Sequence, residues 1–166
     1  NGANKLWKNN GAGVFTDSGQ TVGTGGTFDV ELADLDGDTD LDAFFANGST
    51  SGDPNEVWLN DGLGNFTDSG QNLDDDYSFS VVLFLCDGDA DLDAFVGNNT
   101  GQPNRLYLNN GAGVFTDSGQ DLGIGGAISV AASDLDGDTD LDLFLANINQ
   151  PEQVFWNDGL CQFEDS

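Results

Sequence analysis

Asp34-Leu35-Asp36-Gly37-Asp38-Thr39-Asp40-Leu41-Asp42 places five carboxylates within nine residues. At an effective dielectric of about 20, two like charges about 4 Å apart repel by roughly 4 kcal/mol, so a folded loop of converging Asp side chains needs a counter-charge. The same nine residues recur at Asp134 to Asp142. A third copy, Leu85-Cys86-Asp87-Gly88-Asp89-Ala90-Asp91-Leu92-Asp93, has lost its first acid. The natural partner for such loops is a hard cation with oxygen ligands, calcium above all.

Around these loops the chain repeats itself. Phe15-Thr16-Asp17-Ser18-Gly19-Gln20 returns at Phe66 to Gln71 and Phe115 to Gln120, and in worn form at Phe163 to Ser166, with spacings of 51, 49 and 48 residues. A turn-rich segment precedes each copy, beginning at Asn9, Asn60, Asn109 and Asn157 and carrying Asn-Gly or Asp-Gly. Such dipeptides mark hairpins. The strand entering each hairpin carries an aromatic at one register: Trp7, Trp58, Tyr107 and Phe155. Phe28 to Leu32 alternates apolar and polar residues, whereas Phe79 to Leu85 and Ile128 to Ala132 read as strands buried on both faces. Another apolar run follows each acidic loop, and no stretch has helical periodicity. Each unit therefore reads as strand, acidic loop, strand, variable linker, strand, hairpin, strand.

This pattern predicts an all-β chain of the β-propeller type, built from four-stranded antiparallel blades. Residues 23–73, 74–122 and 123–166 form three full blades of one repeat domain, and residues 1–22 form an N-terminal half-blade. Closed propellers have four to eight blades, so the edges of this chain call for cover. Two readings stay open. Copies of the chain complete one another in a ring or filament, or the chain is a piece of a longer one; it begins inside a repeat without Met, as a processed or partial product does.

Composition limits the partners. The formal net charge is −27, from 30 acidic residues against three basic ones, and 14 of those acids lie in the three loops. That balance argues against nucleic-acid binding and against an anionic membrane surface, and no apolar run approaches the length of a membrane span. Hydrophobic residues make up 37% of the chain, with 12 Phe and three Trp, enough for a real core. The chain has no His, which removes His-based triads and His-ligated zinc or iron. Paired carboxylates can hydrolyse glycosides, yet each dense Asp cluster serves a cation better, so no catalytic residue is assigned and no enzyme is expected.

The acidic loops together with the Asn-x-Gly-x-Gly-x-Phe hairpins resemble FG-GAP/VCBS-type repeats, the calcium-binding blades of integrin-α-like β-propellers. The resemblance covers nearly the whole chain. It implies ligands at loop positions 1, 3, 5, 7 and 9, with position 7 giving its carbonyl. The first site would use the side chains of Asp34, Asp36, Asp38 and Asp42 with the Asp40 carbonyl; the third would use Asp134, Asp136, Asp138 and Asp142 with the Asp140 carbonyl. The second keeps Asp87, Asp89, Asp93 and the Asp91 carbonyl, but Leu85 replaces the first ligand. Two complete calcium sites and one weakened site are thus expected.

Cys86 replaces a Leu of the sister loops and Cys161 a Gly of the sister hairpins, which suggests a disulfide within the chain or between chains; two unpaired thiols are the alternative. Asn47, Asn65 and Asn98 stand in N-glycosylation acceptor patterns. The recurrent aromatics suit packing between blades better than a sugar-binding ladder. Calcium loops of modest affinity fill best outside cells. The sequence thus predicts an extracellular or cell-surface, calcium-stabilised structural or adhesive protein that assembles with other copies of itself. The alternative is a ligand-binding module, lectin-like or receptor-like, that recognises glycans or surface proteins.

Overall fold

A computed structural model describes residues 4–48, 52–99 and 101–166. The described residues hold 16 strands. The N-terminal hairpin pairs β1 (Asn4–Asn9) with β2 (Phe15–Val22). The first four-stranded sheet runs in order through β3 (Thr27–Ala33), β4 (Asp42–Asn47), β5 (Glu56–Asn60) and β6 (Phe66–Asp68). The second consists of β7 (Ser78–Phe84), β8 (Asp93–Asn98), β10 (Arg105–Asn109) and β11 (Phe115–Asp117). The third runs through β13 (Ala127–Ser133), β14 (Asp142–Asn147), β15 (Gln153–Asn157) and β16 (Phe163–Asp165). All pairings are antiparallel between neighbours. Three full blades and a half-blade are therefore present; residues 1–3 of the expected half-blade lie outside the described residues.

The core lies between the blades. Leu35, Phe44, Ala46 and Val57 of the first pack against Val81, Ala94, Val96, Tyr107 and Phe115 of the second. Phe84, Phe95 and Leu106 of the second pack against Leu143, Leu145 and Phe155 of the third. Val22 of the half-blade closes on Ala43 and Phe45. Each sheet buries both faces only where it has a blade on either side. The prediction of a doubly buried strand at Ile128 to Ala132 is corrected here: Ile128, Ser129 and Ala131 are exposed because no described blade follows the third. In β3 the apolar residues Phe28, Val30 and Leu32 are the exposed ones, and Asp29 and Glu31 turn toward the second blade. The Val81 amide donates to Asp29 Oδ2 there (3.1 Å).

Two features fix the blades to one another. Gln71, at the end of the first blade, donates through Nε2 to the Gly113 carbonyl (2.7 Å), and its Oε1 accepts from the Phe115 amide (2.8 Å). Gln20 grips Gly64 and Phe66 in the same way, and Gln120 grips Cys161 and Phe163. In addition, β9 (Gln102–Pro103) in the linker of the second blade pairs with β12 (Ile124–Gly125) at the start of the third. Sequence periodicity could not show this short ladder, because two residues have no alternation to read.

The linkers also show how Asn47 and Asn98 are held. Both end a strand, are fully buried, and donate their side-chain amides to the carbonyls of Pro54 (2.9 Å) and Pro103 (2.7 Å). Ser49 and Thr100, which complete the two acceptor patterns, lie outside the described residues. Asn65 is at the surface, in a hairpin, with its amide donating to Asp61 Oδ2 (2.8 Å).

Candidate metal centre

The acidic loops connect the first two strands of each blade. In the first, Asp34 brackets the chain: its Oδ1 accepts from Gly37 N (2.8 Å) and its Oδ2 from Thr39 N (2.9 Å). That double contact holds Thr39 at φ 77, in the left-handed region, beside Gly37 at φ 82. Asp42 begins β4, fully buried; its Oδ2 accepts from Leu35 N (2.9 Å) and its Oδ1 from Asn60 N (2.8 Å). The outcome is a convergent triad in which one oxygen each of Asp34, Asp36 and Asp42 lie within 4.8 Å of one another. The third loop repeats the arrangement with Asp134, Asp136 and Asp142. Gly137 and Thr139 donate to Asp134 as their counterparts do to Asp34 (2.7 and 3.2 Å).

These triads fit a calcium ion. Two oxygens each about 2.4 Å from a shared cation lie at most about 4.8 Å apart, and the donor set is all carboxylate. Charge crowding points the same way. Burial, then the neighbouring Asp42 and Asp38, push the Asp36 carboxyl above the usual carboxylate range. Asp136 is raised as well, by burial and then by Asp138 and Asp142 against an Asp138 amide that opposes the shift.

The remaining predicted residues are distributed less uniformly. Asp38 and Asp138 fall outside the triads; their Oδ1 atoms accept from the amides of Asp40 (2.9 Å) and Asp140 (3.0 Å). The side chains of Asp40, Asp91 and Asp140 point away into the hairpin of their own blade, against Gly62, Gly111 and Gly159. A β-carbon at Gly111 would collide with Asp91 Oδ2. This leaves position 7 to act through its main chain, and it explains the hairpin glycine: side chain and turn occupy the same space.

The second loop gathers no such triad among the described residues. Without an acid at Leu85 nothing brackets the chain, and Ala90, unlike Thr39 and Thr139, does not adopt a positive φ. Asp87 and Asp89 only cap the amides of Asp89 (3.2 Å) and Asp91 (2.9 Å). Asp93 accepts from Asn109 N (2.9 Å), but its Oδ2 is buried without a partner. Burial foremost, opposed by that amide and reinforced by Asp87 and Asp89, pushes the Asp93 carboxyl up to about 6. Beside it, Cys86 and Cys161 form a disulfide with Cα atoms 4.9 Å apart. Both sulfurs are thereby committed, so the Cys86–Asp93–Cys161 cluster offers no thiolates to a metal. A covalent tie between the second and third blades stands where the first ligand has been lost, and ties of this kind belong to oxidising compartments.

Three Asn residues matter more than the sequence reading assigned them. Asn109 Nδ2 donates both to Leu92 O in its own blade (3.2 Å) and to Leu35 O in the preceding one (2.9 Å). Asn157 does the same with Leu141 and Cys86, at 3.3 Å each. Asn60 has only its own Leu41 (3.1 Å). Their recurrence in register before every hairpin was the available signal. The first and second acidic loops are thus held from both sides, by their own blade and by the next, and the third by its own Asn157.

No curated protein matches the chain. Compared with family models, the stretch from the second acidic loop into β14 matches the FG-GAP-like repeat, and the same loop and hairpin motifs recur outside it. Residues 86–145 are an FG-GAP-like repeat.

Proposed function

We propose that the chain is extracellular structural or adhesive material, stiffened by calcium in the first and third acidic loops and associating with other copies of itself. The observation that carries this reading is the pair of carboxylate triads, each within 4.8 Å and, among the described residues, without a basic partner. Both sit in connections that fix a blade's inner strands. When bound, calcium supplies charge neutralisation and cross-links the loop; Asp34, Asp36 and Asp42, or Asp134, Asp136 and Asp142, hold it. The second loop takes calcium weakly or through water, and the disulfide does the fastening there. An ion that binds only the folded state adds RT ln(1 + [L]/Kd), about 2.7 kcal/mol at a hundredfold excess over Kd. The reading assigns no catalytic role.

Isothermal titration of metal-depleted protein with calcium tests it, with Asp42→Asn and Asp142→Asn removing one site each. Two saturable sites, one lost in each variant, support the proposal. A flat titration sinks it.

A further inference from the structure

The second acidic loop and the hairpin of the third blade bring together a donor set unlike the Asp triads. We infer that, once the Cys86–Cys161 bond is reduced, Cys86, Cys161 and Asp93 bind a thiophilic divalent cation of the zinc class. This blade boundary is then held by a disulfide in oxidising surroundings and by a metal in reducing ones. One ligand atom from each residue, the two sulfurs and a carboxylate oxygen, lies within 4.8 Å of the others. The three side chains are buried, at 4%, 1% and 0% exposure for Cys86, Cys161 and Asp93. Zinc–sulfur bonds of about 2.3 Å and zinc–oxygen bonds of about 2.1 Å put the ligands of a tetrahedral ion roughly 3.6–3.8 Å apart. The sulfurs need only part from bonding distance while the carboxylate draws in.

Asp93 is the residue that asks for a ligand. In the sister loops both oxygens of the equivalent carboxylate are engaged. Asp42 accepts from Leu35 N and Asn60 N, and Asp142 from Leu135 N (2.9 Å) and Asn157 N (3.0 Å). Asp93 keeps only the contact from Asn109 N, and its Oδ2 is buried without a partner in the one loop that carries a cysteine. Among the described residues no Lys or Arg ion-pairs with it. A buried, unpartnered carboxylate oxygen carries a desolvation cost that a cation removes. Access is present as well. A cavity of about 340 Å³ opens against Cys86, lined also by Leu85, Asp89 and Asn157. It offers the ion a way in and a water for the fourth position of the tetrahedron.

Ligand softness selects the cation. Two thiolates favour zinc, whereas the all-carboxylate triads of the first and third loops favour calcium. The exchange balances. Two thiols R–SH convert the bond to Cys86–SH and Cys161–SH and leave as R–S–S–R, and the ion then displaces both thiol protons. Oxidation by a small disulfide runs the other way: its two sulfurs leave as thiols, the Cys86–Cys161 bond reforms and the ion is released. Because Cys86 lies in the second blade and Cys161 in the third, metal and disulfide tie the same two elements.

Cobalt(II) tests the site, because thiolate-to-cobalt charge transfer absorbs in the near ultraviolet and carboxylate-bound cobalt lacks that band. The full chain is reduced in urea with a phosphine, which takes up the oxygen of a water and leaves two thiols, and is returned to calcium buffer. Thiol counting and far-ultraviolet circular dichroism follow reduction and fold during the titration. One equivalent of cobalt should saturate the band and zinc should displace it, while oxidised wild type and Cys86→Ser/Cys161→Ser show none. Asp93→Asn should bind more weakly by at least the roughly tenfold that even an outer partner of a metal contributes. With two thiols counted, no band, or an affinity that Asp93→Asn leaves unchanged, overturns the proposal. If the reduced chain has lost its strand signal, one equivalent of zinc should restore it, and a chain that stays unfolded in zinc overturns the proposal too. X-ray absorption of the zinc form reads the ligands without any variant: two sulfurs and two oxygens are expected, and four sulfurs, from two chains sharing an ion, contradict the site.

Discussion

The Asn109 side-chain amide reaches across a blade boundary to the Leu35 carbonyl at 2.9 Å, joining residues 74 positions apart in the chain. The acceptor is the second residue of the first acidic loop, so this bond ties the geometry of a carboxylate triad to the blade that follows. Removing a buried partner leaves the other group unsatisfied, at about 1–3 kcal/mol. Asn109→Ala should therefore lose that much in urea denaturation. Asn60→Ala, which frees the Leu41 carbonyl and the Gly64 amide at a more exposed position and breaks no contact between blades, should lose less. Equal losses would mean that the contact between blades contributes nothing.

The Cys86–Cys161 bond closes a span of 75 residues. On the chain-entropy view a loop of that size is worth on the order of 4 kcal/mol. A Cys86→Ser/Cys161→Ser variant should fall by about that amount and become insensitive to reductant. Wild type in reductant should approach the variant. A melting temperature that does not respond to reductant contradicts the assignment of the bond as the fastener of the second loop.

Gly111 and Gly119 separate strain from crowding. Both have positive φ, 73 and 74, but a β-carbon on Gly119 meets nothing within 4 Å whereas one on Gly111 meets Asp91. Gly119→Ala should cost only the left-handed penalty, about 1–2 kcal/mol. Gly111→Ala should cost more, because the Asp91 side chain must leave its place. Chemical denaturation of the pair reads the difference, and a Gly119 variant as damaged as the Gly111 variant would refute the close packing of position 7 on the hairpin.

Much of this architecture was legible in the residues. The Asn-Gly and Asp-Gly hairpins, the alternation in Phe28 to Leu32 and the triplicated acidic loop gave the blades and their order, because each is a local signal. What covers each face was not legible. Period two assigns Phe28, Val30 and Leu32 to one side of β3, but it cannot say that the Phe28 ring meets Tyr77 and Phe79 of the second blade across an irregularity in the ladder, that Val30 and Leu32 stay exposed, or that Asp29 reaches the Val81 amide. The burial of Asn47 and Asn98 was equally illegible, since an acceptor pattern carries no information about burial. Within the loops, spacing could not show which acids converge: Asp34, Asp36 and Asp42 come together while Asp38 caps the Asp40 amide, and a disulfide stands beside the Leu85 loop.

Crowded acids give a pH response of definite sign. Asp93 is pushed up to about 6 in the folded protein from an ordinary value of 3.8, so between those values the folded state binds more protons than the unfolded one and stability falls as pH rises. In calcium-free buffer, acidifying from about pH 7 to about pH 5 should therefore raise the melting temperature. Asp36 and Asp136, also raised, add to the trend. Below about pH 4, near the ordinary Asp value, it should reverse as Asp17, held low first by its Lys5 hydrogen bond, and Asp61, held low first by Asn65, take up protons. A steady decline in melting temperature from neutrality downward would contradict the crowding.

The claim at the centre is that calcium is part of the fold, and thermal unfolding in calcium against unfolding in chelator tests it most directly. Two ions at a hundredfold excess over Kd contribute about 5 kcal/mol in all. The melt should drop markedly on chelation, recover on adding calcium back, and respond about half as much in Asp42→Asn. Superimposable melts with and without calcium would show that the triads of Asp34, Asp36 and Asp42 and of Asp134, Asp136 and Asp142 hold no ion that the fold depends on.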